Sequence, residues 1–264
     1  MYATAPKITF TVLGDSAAFG TGDSDADGNC RGWAYYLSQV FREEVTYLNF
    51  SRPGAKSSEV REDQLPRAIA SEPDICAVIA GGNDLLRNGF NPQLLYTNLR
   101  QTCDQLMSRG AEILMIELHD PNQLLHLPRL LKWVLARRVN SVNEVYYRVA
   151  EELDLLLIRT RQIPDVHNKE NWHIDRMHPG PLGHQILARA MADKLKARGW
   201  ALNIPEIQRP PLVSKGSQRI WLIKNGLPWF LKRSVDLLPA ALVLMAFEIC
   251  LISREKFQRL FLSN

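Results

Sequence analysis

Short apolar runs alternate with longer amphipathic segments along most of the chain. The apolar runs are nearly continuous, as is typical of parallel strands that are covered on both faces. They lie at 7–14, 45–50, 75–81, 112–118 and 154–160. The segments between and after them have helical periodicity and lie at 32–43, 57–70, 92–109, 129–153 and 181–198. This alternation predicts an α/β fold, with helices on both faces of a sheet of about five parallel strands.

The pattern changes after Gly199. Residues 203–218 contain three prolines and no periodicity, whereas the residues that follow are rich in apolar and basic side chains. We therefore expect a main domain over 1–199, a linker over 200–218 and a basic, apolar helical tail over 219–264.

The formal net charge of the 264-residue chain is +4, and the basic excess lies in its last part. Of 32 Lys and Arg and 28 Asp and Glu residues, 23 and 24 respectively lie within 1–199, which leaves nine and four for 200–264. The surplus is small and lies beside apolar residues, so no nucleic-acid partner is predicted. The four cysteines are far apart and lack metal-binding spacing. With no apolar signal segment at the N-terminus, this composition favours a cytoplasmic protein with reduced thiols.

The tail contains a run over 235–253 that is almost wholly apolar but includes Asp236, Pro239 and Glu248. A membrane-spanning helix needs about 20 apolar residues with few charges, so a simple span is not expected. Three alternatives stay open: a peripheral element on the anionic inner face of the membrane, a helical pair packed on the main domain, or a dimer element. The sequence does not indicate the oligomeric state.

Residues that can carry chemistry follow several of the predicted strands. Ser16 follows the first, Gly54 the second and Asn83 the third, whereas Asp175 and His178 come after the fifth. Because the carboxyl ends of parallel strands share one edge of the sheet, we expect these residues to form one site there. Ser16 is the candidate nucleophile, His178 its general base, and Asp175 the carboxylate that orients the imidazole.

The same set also supplies hydrogen-bond donors for an oxyanion. The backbone N–H groups of Ser16 and Gly54 and the side-chain amide of Asn83 are the candidates. Glycine at 54 is expected because backbone must approach the reacting centre without a Cβ in the way. Asp84 is expected to cap or support a loop rather than to catalyse.

The motifs GDS, a lone glycine, GGND and DRMHPG occur in this order and resemble those of the SGNH (GDSL-type) hydrolase family. The resemblance covers roughly residues 7–198. It implies a flavodoxin-like three-layer sandwich and a serine esterase that needs no metal or organic cofactor. It assigns Ser16 as nucleophile, Gly54 and Asn83 as oxyanion residues, and Asp175 and His178 as the DxxH pair.

The substrate class depends on less specific features. The stretch LLHLPRLLKWVL at 124–135 is either the start of a helix packed on the sheet or an acyl-chain-binding wall or lid. Together with the apolar tail it favours a lipid-like acyl ester, as for a lysophospholipase or thioesterase. Carbohydrate O-acetyl esters, acyl transfer by the same site and a non-catalytic membrane-associated scaffold are the alternatives. The remaining histidines are interpreted as structural (His184) or as loop residues without metal-binding spacing (His119, His126, His167 and His173).

Overall fold

The computed structural model describes residues 7–209 except 26, 88, 126–128 and 205, together with Leu242, Ala246 and Cys250. Those last three residues are helical and exposed. The rest of the predicted tail over 219–264, and residues 210–218 of the predicted linker, lie outside the described residues.

A five-stranded parallel sheet forms the centre of the fold, with strand order β2-β1-β3-β4-β5. The strands are β1 (Lys7–Gly14), β2 (Glu44–Asn49), β3 (Ile75–Ile79), β4 (Glu112–Ile116) and β5 (Leu156–Ile158). The strand order reverses between β1 and β3, so the connections that follow these two strands leave toward opposite faces of the sheet. This leaves a crevice at the carboxyl ends of β1 and β3. The predicted parallel α/β sheet is therefore confirmed, although β5 is shorter than its apolar run.

Eight α-helices connect or flank the strands in the described part of the chain. They are α1 (Ser16–Phe19), α2 (Gly32–Ser38), α3 (Ser57–Glu59), α4 (Leu65–Ala70), α5 (Gly82–Leu85), α6 (Pro92–Met107), α7 (Arg129–Glu152) and α8 (Pro181–Ala197). A π-helical turn over Val60–Gln64 joins α3 to α4, so the segment predicted as one helix over 57–70 is continuous but locally widened. The short helices α1 and α5 lie outside the helical ranges read from the sequence pattern, because four residues carry no readable periodicity.

The helices cover the sheet on both faces and give it two apolar cores. The core on one face joins the sheet to the segment 57–70, α6 and α7, and includes Leu99 and Tyr146. The core on the other face joins it to α2 and α8, and includes Trp33 and Met191. These two layers around the sheet are the three-layer arrangement expected from the sequence.

Residues directly after α8 continue the packed body. Trp200 packs edge-on against Phe41, with ring centroids 6.1 Å apart. Leu202 is buried and pairs with Phe41 in an isolated antiparallel bridge, and the backbone N–H of Asn203 donates to the Val40 carbonyl at 2.7 Å. These residues were assigned to a linker because apolar side chains at single positions give no periodic pattern. The packed body extends through them.

Within the described residues, no helix combines the length and the hydropathy that a membrane crossing requires.

Candidate active site

Ser16 lies where β1 ends and α1 begins. Gly14, the last residue of β1, has φ +146°, and a Cβ there would lie 2.0 Å from the carbonyl oxygen of Ile79 in the neighbouring strand. Asp15 is the N-cap of α1, and its carboxylate accepts a hydrogen bond from the Ala17 N–H at 3.0 Å. Ser16 is therefore the first residue of a helix that begins directly at the sheet edge.

The end of β1 is also held by a side chain of the π-helical turn that follows α3. The buried Gln64, in the π-helical turn, accepts from the Gly14 N–H at 2.7 Å and donates to the Gly14 carbonyl at 3.0 Å. The Arg52 N–H donates to the same carbonyl at 3.0 Å. Hydrogen bonds therefore hold both the N–H and the carbonyl of Gly14, two residues before Ser16.

The structure brings Ser16, His178 and Asp175 into one chain of hydrogen bonds. The Ser16 hydroxyl oxygen lies 2.8 Å from Nε2 of His178, and Nδ1 of the same ring lies 2.8 Å from Oδ2 of Asp175. The other carboxylate oxygen of Asp175 accepts from the backbone N–H groups of Met177 and His178 at 2.9 and 3.0 Å. In this geometry His178 can remove the proton of the Ser16 hydroxyl, and Asp175 can stabilise the imidazolium that results.

Asp175 is held ionised by its surroundings. Its burial alone would raise its pKa, but hydrogen bonds with His173 and His178, together with the Met177 N–H, outweigh burial and hold the pKa of this carboxyl well below its usual value. His173 lies with Nδ1 3.2 Å from the same Oδ2 that His178 contacts. The sequence interpretation as a loop histidine missed this second imidazole at the carboxylate.

Asn83 belongs to α5, directly after β3 and across the crevice from Ser16. Its side-chain amide donates to the Ala55 carbonyl at 3.1 Å and makes a longer contact of 3.4 Å with Oδ2 of Asp15. Asp15 is buried, and burial raises its pKa to about 6. The role of Asp15 as both the helix cap at Ser16 and a neighbour of Asn83 was not predicted from the sequence.

Gly54 lies in the loop between β2 and α3, next to the residue whose carbonyl receives the Asn83 amide. It has φ +88°, and a Cβ built there would meet nothing within 4 Å. The left-handed backbone conformation by itself favours glycine at this position, and its close approach to the reacting centre stays a prediction. Gly54 does not line the cavity described below.

The loop with Gly54 and the helix with Asn83 are tied together by Asp84. Its carboxylate accepts from the N–H of Ser57 at 2.9 Å and from the Ser57 hydroxyl at 2.6 Å. This is the supporting role expected for Asp84. From the opposite side, the buried Arg138 of α7 donates to the carbonyls of Leu85 and Arg87 at the end of α5, at 2.6 and 3.1 Å.

Ser16 and His178 open onto a cavity of about 370 Å³. This volume lies at the lower end of the range of roughly 300–1,000 Å³ that is usual for small-molecule sites. Apolar side chains form most of the lining, including Leu131, Val134 and Leu135 from the start of α7. The described residues of the stretch 124–135 therefore both begin a helix packed on the sheet and form a wall of the cavity next to Ser16.

Two polar side chains that the sequence analysis did not select also line this cavity. Glu117 is buried and accepts from the Arg161 N–H at 2.9 Å and from the Tyr147 hydroxyl. His119 follows β4, and burial lowers its pKa to about 3. Neither residue belongs to a motif, so only their position after a buried strand could have indicated them. Among the described residues, no group of His, Cys, Asp and Glu is arranged to hold a metal ion.

The model of the GDSL-like lipase/acylhydrolase family matches residues 12–186 of the chain. This match includes every residue that the motifs selected, and it confirms the resemblance on which their roles were based. A search of the curated proteins finds no match to this chain.

Solved structures of similar fold cover about three quarters of the chain and nearly all of their own. TesA has a TM-score of 0.56 and 24% identity, covering 72% of this chain and 98% of TesA. Axe2, an acetylxylan esterase from Geobacillus stearothermophilus, has a TM-score of 0.56 and 18% identity, covering 71% and 94%. The lipase/acylhydrolase from Enterococcus faecalis has a TM-score of 0.56 and 16% identity, covering 75% and 99%. At these identities the similarity shows the fold alone.

Proposed function

Because the chain belongs to the GDSL-like lipase/acylhydrolase family, we propose that it hydrolyses carboxylic esters with an apolar acyl group. The observation that carries this proposal is the hydrogen-bonded series Ser16–His178–Asp175 at the mouth of an apolar cavity. A nucleophile, its base and an ionised carboxylate are the groups that acyl transfer requires, and the cavity offers the acyl chain a surface away from water.

In the first half of the reaction, the Ser16 oxygen attacks the acyl carbonyl while its proton passes to Nε2 of His178. Asp175 accepts from Nδ1 and stabilises the imidazolium. His178 then gives its proton to the leaving alcohol. In the second half, His178 takes a proton from water, which attacks the acyl-enzyme and releases the acid, and the serine recovers its proton.

The oxyanion of each tetrahedral intermediate needs donors already in place. We assign these to the N–H groups of Ser16 and Gly54 and to the Asn83 amide. The 3.4 Å contact between Asn83 and Asp15 is at the weak end of hydrogen-bond geometry, so this amide hydrogen is the one that turns to the oxyanion. The second amide hydrogen stays on the Ala55 carbonyl and holds the side chain in place.

The apolar lining favours a lipid-like acyl group over an acetyl group. An acetyl group is too short to contact most of the apolar cavity surface. A longer acyl chain contacts more of that surface and removes it from water. Because Axe2 is an acetylxylan esterase, the experiment below also includes an acetyl ester. Transfer of the acyl group to an acceptor other than water uses the same residues, and product analysis separates it from hydrolysis.

The test is hydrolysis of p-nitrophenyl esters from acetyl to palmitoyl, with Ser16→Ala and the matched control Ser108→Ala. Ser108 lies at the end of α6, where its hydroxyl donates to the Gln105 carbonyl. We expect an optimum at acyl chains longer than acetyl and a loss of at least about 10³-fold in kcat for Ser16→Ala only. Activity that survives in Ser16→Ala would contradict the assigned nucleophile, and an optimum at acetyl would contradict the acyl class.

A further inference from the structure

His119 places a polar atom without a hydrogen-bond partner beside an otherwise apolar cavity. The ring lines the cavity next to Ser16 and His178, and its Nε2 atom is fully buried. In the part of the chain that the structure describes, no hydrogen-bond partner reaches this nitrogen. Buried polar atoms are almost always paired, because an unpaired one reduces the stability of the fold. In a cavity that receives substrate, the substrate is the natural source of the missing partner.

The position of His119 indicates which part of the substrate supplies that partner. Its ring packs against Trp172, with centroids 3.8 Å apart and planes at 39°. Trp172 pairs with Pro179 in an isolated bridge, and the next residue, His173, donates its N–H to the His178 carbonyl at 2.9 Å. His119 therefore packs on the loop that carries the general base. Since His178 must reach the oxygen of the leaving alcohol, the leaving group lies on this side of Ser16.

The state of the ring limits the chemistry that it recognises. Burial lowers the pKa of His119 to about 3, which keeps its imidazole neutral at neutral pH. A neutral imidazole has one N–H donor and one acceptor nitrogen. Nε2 is therefore either the donor or the acceptor, and a hydroxyl group, which can both donate and accept, pairs with it in either state. Without a charge, the ring gives no particular attraction for a phosphate or a carboxylate.

We propose that His119 forms a leaving-group subsite, in which Nε2 hydrogen-bonds a free hydroxyl on the alcohol part of the ester. The preferred substrates are then acyl esters of a polyol, such as glycerol or a sugar, and not esters of simple alkyl alcohols. This inference rests on the proposed esterase function and adds the chemical class of the leaving group to it.

The test compares 1-octanoylglycerol with propyl octanoate, which share the acyl chain and a three-carbon alcohol and differ in the free hydroxyls. We expect the wild type to favour the glycerol ester by about three- to tenfold in kcat/KM, the effect of one hydrogen bond. His119→Phe is expected to abolish this preference, with a larger loss of kcat/KM on 1-octanoylglycerol than on propyl octanoate. His119→Gln keeps a hydrogen-bonding amide and is expected to retain a preference.

His167→Phe is the matched control, because His167 is a neighbouring loop histidine that does not line the cavity. It is expected to keep the wild-type preference. Equal use of both esters by the wild type, or an equal loss on both in His119→Phe, would overturn the subsite. His119→Leu replaces the phenylalanine variant if that variant does not fold. A wild type inactive on both esters would instead overturn the proposed function, and with it this inference.

Discussion

In the proposed mechanism, Ser16 depends on Asp175 for its reactivity, although the two side chains do not touch. Asp175 accepts from His178 and from two backbone N–H groups, which fixes the loop and the tautomer of the ring together. We expect Asp175→Asn to lower kcat by about 10³- to 10⁴-fold, because the amide would favour the wrong tautomer of His178. Esterase kinetics with a soluble ester measure this change.

The control for that variant is Asp165→Asn, an exposed aspartate of the same segment, which should keep activity within about twofold. Comparable losses in both variants would show that the segment between β5 and α8 tolerates no substitution, and would remove the argument for a specific role of Asp175.

His184 gives the stability of the protein a pH dependence. Its Nδ1 accepts from the Trp33 N–H and its Nε2 donates to the Thr21 carbonyl, both at 3.1 Å, and burial lowers its pKa from 6.5 to about 4. Between these two values the unfolded chain binds a proton that the native state does not. Stability is therefore fully present above pH 6.5 and is lost as the pH falls toward 4, by ~3 kcal/mol from this residue.

Urea unfolding at pH 7 and pH 4.5 tests this contribution, with His184→Gln as the comparison. The variant is expected to be less stable at pH 7, but its free energy of unfolding should fall less than that of the wild type between the two pH values. Asp15 and His119 also titrate abnormally, but they are present in both proteins and cancel in the comparison. Identical pH dependences would refute the assignment to His184.

Helix α7 combines two functions along its length. Its later part packs in the core through residues such as Tyr146, whose hydroxyl donates to the Ala80 carbonyl at 2.7 Å. Its first turns form the cavity wall, and Arg138 between these parts holds the end of α5. The element that we propose to select the acyl group is therefore also the element that supports the helix of Asn83.

We expect Leu131→Glu to lower kcat/KM for an octanoyl ester at least about tenfold, since a carboxylate in the apolar wall opposes burial of the chain. Hydrolysis of an acetyl ester should stay within about twofold. Leu94→Glu is the control, because Leu94 is an exposed leucine of α6. Kinetics with both esters distinguish the outcomes, and equal losses on the two esters would argue against an acyl wall at Leu131.

At the level of these elements, periodicity was sufficient where segments were long. The strands and the five long helical segments were predicted from their apolar patterns, and the site residues were placed at one sheet edge because the topology brings them there. What periodicity could not indicate depends on single contacts. The contact of Gln64 with Gly14, the close approach of Gly14 to the Ile79 backbone and the docking of Trp200 on Phe41 each join residues that are far apart in the sequence.

Contacts between residues far apart in the sequence also account for what was missed in the site. Asp15 was visible in the GDS motif, but its contact with Asn83 joins residues that are 68 positions apart. His119 and Glu117 carry no motif at all, and their proximity to Ser16 appears only when β4 is placed two positions from β1 in the sheet.

The whole chain divides into a nearly neutral body and a basic segment after α8. The excess of five positive charges over residues 200–264 lies with apolar residues, and basic residues near an anionic surface contribute about 1 kcal/mol each. We predict that the full chain sediments with vesicles containing anionic lipid, that added salt weakens this binding, and that a chain ending at Arg209 does not bind.

Vesicles of zwitterionic lipid alone serve as the control for that measurement and should leave the full chain in the supernatant. The shortened chain keeps the docked residues Trp200 and Leu202 and the contacts between Gln208 and Gln185, so its ester hydrolysis tests that the body is intact. A full chain that ignores anionic vesicles would leave dimer formation or packing on the body as the role of the tail.

The amide of Gln64 does for Gly14 what a neighbouring strand does elsewhere in the sheet: it pairs with both the N–H and the carbonyl. The position of Ser16 is consequently tied to the helical segment 57–70 more than to the loop between β2 and α3. That loop could be exchanged for one of different length or sequence with little displacement of Ser16, provided that a donor replaces the Arg52 N–H. For an engineer, Gln64 is therefore the residue to leave unchanged, and any new loop must also keep the Gly54 N–H and the Ala55 carbonyl that the proposed oxyanion site uses.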